Sequence, residues 1–100
     1  MAFKIQLNNY MLEVWGSLNA QNMNTLRTHL ELVRKSSDFI TLSLDHISDI
    51  DMVSAKELEY LYYDIAGSNK VLSIVGQHNS NIQDVMLQTK TSYILSNDRS

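Results

Sequence analysis

The sequence predicts a single α/β domain, in which a mixed, mainly parallel sheet carries an N-terminal antiparallel hairpin and about three helices. The chain has 100 residues, the usual size of one domain. Apolar segments with the alternation of strands are separated by segments with helical spacing, and this order is typical of βαβ units. Residues 1–96 are expected to form the domain, and residues 97–100 a flexible C-terminal tail.

The first two apolar segments predict a β-hairpin with Asn8-Asn9 as its turn, because asparagine tolerates a positive φ. Both faces of this hairpin then hold chemically compatible neighbours. The predicted pairs are Phe3–Val14, Ile5–Leu12 and Leu7–Tyr10 on the apolar face, and Lys4–Glu13 and Gln6–Met11 on the other. Trp15 is expected to pack at the end of the second strand, with a ligand role as the lesser alternative. Gly16 is expected to end that strand.

The first helix is predicted to begin after Asn19, a residue type that caps helix N-termini well. An apolar stripe at helical spacing should face the sheet, while the polar residues between its members should be solvated. The stripe consists of Met23, Leu26, Leu30 and Val33.

The segment that follows is the one around which the domain is expected to be organised. Residues 39–44 predict a buried central strand, followed by a short acidic turn with Asp45, Asp49 and Asp51. Ser54 and Glu57 match the capping-box pattern of a helix start, and Asp51 is expected to help cap that helix. A helix N-terminus carries unpaired N–H groups and partial positive charge, so a surface loop that presents it is a common place for recognition.

The remaining segments complete the alternation of strands and helices. The second helix is expected to end at Gly67 in a left-handed cap, and residues 70–75 predict another buried strand. Ser80 or Asn81 is expected to cap a third helix, and residues 92–95 predict a short edge strand. The predicted apolar positions are Ala55, Leu58, Leu61 and Ile65 in the second helix, and Ile82, Val85 and Met86 in the third.

Composition argues against several classes of protein. The formal net charge of −3 disfavours general binding to nucleic acid or to an anionic membrane. Cysteine is absent, so a disulfide framework and a thiolate metal site are ruled out. No apolar run reaches membrane-spanning length, and the N-terminal residues lack an apolar signal core, so a cytoplasmic protein without membrane insertion is expected.

Catalytic and metal-binding patterns are also missing. The sequence contains no nucleophile elbow, glycine-rich phosphate loop or metalloprotease helix. His29, His46 and His78 lack metal-ligand spacing, and the acidic turn does not fit a calcium-binding loop, so a solvated turn is preferred. The prediction is a protein that is not an enzyme and has no catalytic residues, metal or cofactor.

Several short segments share their order and spacing with a known family. They are Gly16-Ser17-Leu18-Asn19 before the first helix, Ser43-Leu44-Asp45, Ile47 and Ile50-Asp51 before the second, and Leu72-Ser73-Ile74-Val75-Gly76 in the next strand. This combination resembles the STAS domain of anti-sigma-factor antagonists, whose motifs are Gly-x-Leu-Asp before the first helix and Ile-Asp-Ser-Ser-Gly at the second. The resemblance extends over almost the whole chain and implies a STAS-like fold and a non-enzymatic, protein-binding role.

In the resembled family, the second serine of the latter motif is phosphorylated by a partner kinase that is also the anti-sigma factor. The unphosphorylated form binds this partner and releases the sigma factor. Here Val53 occupies that position, so the usual phosphoacceptor is missing. Met52 replaces the first serine, Ser54 the glycine and Asn19 an aspartate. The resemblance places the partner-binding surface on Asn19, Asp51, Met52, Val53, Ser54 and Lys56.

Several alternatives stay open at this point. The expected partner is a histidine-kinase-like anti-sigma factor or a similar ATPase. The alternative is a STAS-like subunit of a lipid-transport ABC complex that docks on its ATPase component, and nucleotide binding is a third hypothesis. Ser54 is either a displaced phosphorylation site or, as preferred, a helix cap. Val53 either contributes to the partner interface or packs into the core. The oligomeric state is not predicted.

Overall fold

Strands and helices alternate through the part of the chain that the structure, a computed structural model, describes, namely residues 2–9 and 11–96. The elements are β1 (Lys4–Asn8), β2 (Met11–Leu18), α1 (Ala20–Arg34), β3 (Phe39–Ile50), α2 (Met52–Gly67), β4 (Val71–Val75), α3 (Ser80–Gln88) and a 3₁₀ turn (Ser92–Ile94). The sheet order is β1-β2-β3-β4, with β1 antiparallel to β2 and the other pairs parallel. The predicted fold class is confirmed. The tail predicted at residues 97–100 lies outside the described residues.

The core lies between the helices and one face of the sheet. The predicted apolar stripes of α1 and α2 supply most of the helical side, and they join the inward-facing residues of β2, β3 and β4 in one cluster. The buried helical residues are Met23, Leu26, Leu30, Ala55, Leu58, Leu61, Ile65, Ile82 and Met86, while Val33 and Val85 are partly buried. From the hairpin, Phe3 and Ile5 pack against the cluster, whereas Leu7 is exposed.

The hairpin forms, but its register differs from the prediction by two residues. Ile5 lies opposite Val14 instead of Leu12. The turn correspondingly moves one residue along the chain and includes Asn9, whose φ is 57°. The predicted pair that involves Tyr10 falls outside the described residues. A two-residue shift keeps each apolar side chain on the same face, so alternation alone could not separate the two registers.

The other face of the hairpin shows the same shift. Lys4 lies opposite Trp15 instead of Glu13, and Gln6 takes the place opposite Glu13. The Lys4 Nζ lies 4.4 Å from the centroid of the Trp15 ring, and the His46 ring stacks on Trp15 with centroids 5.0 Å apart. A cation–π contact therefore replaces the predicted ion pair. Trp15 packs as expected, but it lies inside β2 and not at the end of the strand.

Gly16 does not end β2, which continues to Leu18. Its φ of 99° is unfavourable for residues with a β-carbon. A β-carbon at this position would lie 2.8 Å from the Cα of Phe3, so glycine also permits the close approach of the N-terminal segment. The prediction of a strand end is wrong because glycine here forms an irregularity inside the strand.

β3 takes the place of the predicted acidic turn and runs from Phe39 to Ile50. Its register against β2 shifts at two places, and each shift adds a residue to β3. Because each bulge reverses the alternation of side chains, the buried residues Leu44, Ile47 and Ile50 follow at intervals of three residues. The strand therefore delivers the chain directly to the start of α2.

The start of α2 also differs from the prediction. The helix begins at Met52, and Asp51 is its N-cap. Ser54 thus lies inside the first turn, and its backbone N–H donates to the Asp51 side chain. The capping box of Ser54 and Glu57 is wrong, because it would start the helix three residues later, whereas the predicted capping role of Asp51 is confirmed.

Three later boundaries are corrected as well. Gly67 is the last residue of α2, and the left-handed conformation occurs at Asn69, with φ 65°. Asn79 caps α3 in place of either of the next two residues. The predicted edge strand is mainly a 3₁₀ turn, followed by a parallel bridge between Leu95 and Ile74.

Candidate functional site

One hydrogen bond joins the N-cap of α2 to the end of β2, and two more hold the first turn of the helix on that cap. The Asp51 N–H donates to the Leu18 carbonyl at 3.1 Å. The Asp51 side chain accepts from the Ser54 N–H at 2.8 Å, and its carbonyl accepts from the Ala55 N–H at 3.1 Å. The helix start therefore has a defined position at the edge of the sheet.

This fixed turn presents two apolar side chains to solvent. Met52 is 53% exposed and Val53 is 67% exposed. The hypothesis that Val53 packs into the core is therefore wrong. Lys56 lies one turn further along α2, is exposed, and forms an ion pair with Glu59 at 3.1 Å. The exposed pair Met52 and Val53 leaves apolar area available for burial against another protein.

Ser54 lies behind this surface instead of on it. The residue is 0% exposed, and its Oγ has no hydrogen-bond partner among the described residues. A kinase would need this hydroxyl in solvent, so the burial of Ser54 argues against the hypothesis of a displaced phosphorylation site. The small size of serine allows the first turn to pack against the core, although the hydroxyl gains no hydrogen bond there.

Asn19 lies beside the start of α2, although it belongs to α1. Its Oδ1 accepts from the Asn22 N–H at 2.9 Å, which confirms its predicted role as the N-cap of α1. A shallow cavity of about 210 Å³ lies where β2 and β3 end, and both helix caps line it. Its lining residues are Ser17, Leu18, Asn19, Asp49, Ile50 and Asp51. The fold thus brings Asn19 close to Asp51, another predicted partner-binding residue.

Exposed acidic side chains precede the apolar pair in the chain. Asp45, Asp49 and Asp51 are all exposed at the C-terminal part of β3 and the cap of α2. Across residues 2–9 and 11–96, no group of three or more histidine, aspartate or glutamate side chains is arranged to hold a metal ion. In the same part of the chain, no helix is long and apolar enough to cross a membrane.

A polar network that the sequence did not predict joins the outer face of α2 to the C-terminal 3₁₀ turn. The Tyr93 hydroxyl donates to Glu59, and it lies 2.8 Å from the hydroxyl of Tyr63. The hydrogen bond from Tyr93, with a further one from Lys56, holds the pKa of Glu59 below its ordinary value. The same bond to Glu59 raises the pKa of Tyr93. These residues are far apart in sequence, so no local pattern could have indicated the network.

Asn79, whose buried side chain contacts β3 just before the site, was not predicted from the sequence. No local pattern indicated this contact; the interval of three between Leu44, Ile47 and Ile50 is a signal for the bulges of β3 only, and it fits a turn equally well.

Comparison by sequence finds no relatives: no family model and no curated protein matches the chain significantly. Four chains of known structure match its fold. One is the anti-sigma factor antagonist SpoIIAA in its unphosphorylated form, with a TM-score of 0.70 and 9% sequence identity. The match covers 95% of this chain and 86% of that chain. The predicted STAS-like fold is thereby confirmed, and at this identity the likeness concerns the fold.

Proposed function

We propose that the chain is a non-enzymatic protein-binding module of the anti-sigma-factor-antagonist type, which docks on its partner through the start of α2. The partner is a histidine-kinase-like anti-sigma factor or a similar ATPase in the cytoplasm. The docking surface consists of Asn19, Asp51, Met52, Val53 and Lys56, and Ser54 supports it from inside the fold.

The exposed pair Met52 and Val53 carries this proposal. Leaving two large apolar side chains in water on an otherwise well-capped helix turn is unfavourable, and burial against a partner removes that cost. Complete burial of a side chain of this size contributes about 1.5–3 kcal/mol. Because Asp51 and its hydrogen bonds hold the turn in place, little conformational entropy is lost when the partner binds.

Val53 also determines how this binding is regulated. Valine has no hydroxyl group, so phosphorylation at this position is chemically impossible. The nearest hydroxyl, that of Ser54, is buried. The module therefore binds its partner constitutively with respect to phosphorylation of this turn, and its activity depends on its concentration and on the state of the partner.

The test begins with affinity purification of the tagged chain and identification of bound proteins by mass spectrometry. Each histidine-kinase-like ATPase that is identified is then purified, and its affinity for the chain is measured by calorimetry. Incubation of the pair with ATP, followed by intact-mass measurement, should show no added phosphate. Absence of binding to every such ATPase would contradict the proposal, and stoichiometric phosphate on Ser54 would contradict the constitutive mode.

The experiment also separates the proposal from its alternative. Binding to the ATPase component of a lipid-transport complex, with weaker binding by the Val53→Asp variant, would assign the same surface to the transport role. Release of a sigma factor from a preformed complex with its anti-sigma factor would assign it to the antagonist role. The two results involve different purified proteins, so they cannot be confused.

A further inference from the structure

A buried asparagine at the start of α3 holds the first bulge of β3. The side-chain nitrogen of Asn79 donates to two main-chain carbonyl oxygens of β3, that of Leu44 at 2.8 Å and that of Ile47 at 2.9 Å. These carbonyls flank Asp45 and His46, in the stretch where the register with β2 first shifts. The amide group thus bridges the two sides of the bulge.

Asparagine is suited to this position because all of its polar atoms are used. Asn79 is 9% exposed, and its Oδ1 accepts from the Asn81 N–H at 2.9 Å as the N-cap of α3. The cap requires only an acceptor, which serine also supplies. The bridge to β3 requires two N–H donors on one planar group, which serine and aspartate lack. A substitution can therefore remove the bridge and keep the cap.

The bulge determines how the chain reaches the first turn of α2, which is the docking turn of the proposed function. After it, Ile47 and Ile50 both point into the core, with 1% and 4% exposure. Without the extra residue of the bulge, the side chains of Ile47 and Ile50 would lie on the opposite face of the strand and point outward. Asp51 follows at once and is bound to the Leu18 carbonyl. The position of the first turn of α2 therefore depends on the geometry of the bulge.

We propose that Asn79 is a positioning residue for partner docking, which fixes the start of α2 from a buried place on a different element. The effect of Asn79 on partner binding rests on the proposed function, whereas the effect of Asn79 on the start of α2 can be measured without a partner. A folded variant without the bridge should bind the partner more weakly, although Asn79 itself lies outside the docking surface.

The test uses Asn79→Ser, which retains an N-cap acceptor, and Thr91→Val as its matched control. Thr91 is also buried at 0% exposure, and its Oγ1 lies 2.9 Å from Thr89 Oγ1 just beyond the opposite end of α3. Both substitutions remove buried hydrogen bonds near α3, but only the first acts on β3. Denaturant is added so that the two variants have the same free energy of unfolding.

Hydrogen exchange then measures the docking turn without any partner. In Asn79→Ser the amides of Asp51, Ser54 and Ala55 should exchange at least about tenfold faster than in Thr91→Val, because the turn opens locally. Equal exchange in the two variants would overturn the positioning role. If Asn79→Ser does not fold, hydrogen exchange is measured on the unmodified protein instead. The side-chain amide of Asn79 and the backbone amide of Ser54 should then show the same free energy of opening. Different values would overturn the proposal.

Calorimetry with the purified ATPase that the unmodified chain binds tests the consequence for docking. At a temperature where both variants are folded, Asn79→Ser should bind about tenfold more weakly and Thr91→Val should bind like the unmodified chain. Unchanged affinity of Asn79→Ser would overturn the role in docking. If the unmodified chain binds no such ATPase, the proposed function fails, and the exchange experiment still decides whether Asn79 positions α2.

Discussion

Replacing Val53 by aspartate should separate binding from folding, because this side chain is exposed in the free protein. The free energy of unfolding should change by less than about 0.5 kcal/mol, as for other surface substitutions. The partial positive charge of the helix N-terminus favours an acid in the first turn, and the neighbouring Asp49 and Asp51 offset that gain. Thermal melting should therefore give nearly the same midpoint for Val53→Asp and the unmodified chain.

The effect on binding should be much larger. Val53 is 67% exposed, and complete burial of a valine is worth about 1.5–3 kcal/mol, so its burial in the complex contributes about 1–2 kcal/mol. The variant loses this contribution and must also desolvate a charge. The affinity should fall at least about tenfold, which corresponds to roughly 1.4 kcal/mol. Isothermal calorimetry and thermal melting on the same sample measure both quantities.

Phe39→Asp provides the matched control. Phe39 is 69% exposed, close to the value for Val53, but it begins β3, at the opposite end of the strand from the first turn of α2. This control should bind the partner with unchanged affinity. Normal affinity of a stable Val53→Asp variant would refute the reasoning, and so would an equal loss of affinity in both variants.

Four further substitutions test stability. Asp51→Ala should lower the free energy of unfolding by about 1 kcal/mol through loss of the cap. Ser54→Ala should leave the free energy of unfolding unchanged or raise it by up to about 1 kcal/mol, because the buried hydroxyl has no partner among the described residues. Urea unfolding measures both variants, and a larger loss of stability in Ser54→Ala than in Asp51→Ala would support the capping box of Ser54 instead. Gly16→Ala should cost about 1–3 kcal/mol in the same assay, because φ is 99° and its β-carbon would meet backbone, and a neutral result would contradict the geometry. The hydrogen bond from Tyr93 lowers the pKa of Glu59, so the ionised Glu59 stabilises the fold above its ordinary pKa, and this contribution is lost as pH falls through the lower pKa of the folded state. Melting curves of Tyr93→Phe between about pH 7 and pH 3 should therefore show a smaller loss of stability than those of the unmodified chain. Identical curves for the two proteins would contradict a stabilising contact between Tyr93 and Glu59.

The helices could be predicted from the sequence because their apolar stripes agree with how they pack. Met23, Leu26 and Leu30 follow the helical period without interruption, and all are buried. The hairpin was harder, because registers that differ by two residues place Ile5 against either Leu12 or Val14, and both pairs are apolar. The choice between the two registers depends on how closely the backbones of β1 and β2 approach each other at the turn and at the open end of the hairpin. The alternation of apolar and polar residues does not encode that distance.

The sequence predicted a helix start in the segment that we propose for docking, but the local structure of that segment differs from the prediction. The spacing of Leu44, Ile47 and Ile50 fits a turn as well as a doubly bulged strand, and only pairing with β2 distinguishes the two. The helix start was placed three residues too late because Asp51 and Ser54 are both good caps by residue type. The role of Asn79 depends on a contact between distant segments, for which the sequence contains no local signal.

Protection mapping of the complex would test the central claim most directly. The chain is bound to its purified ATPase partner, and the amide exchange of every residue is compared with that of the free chain. The proposed docking mode predicts new protection at residues 51–56 and at Asn19, with the open face of the sheet around Trp15 and Phe39 unchanged. Protection confined to that face, with residues 51–56 exchanging as in the free chain, would contradict the account.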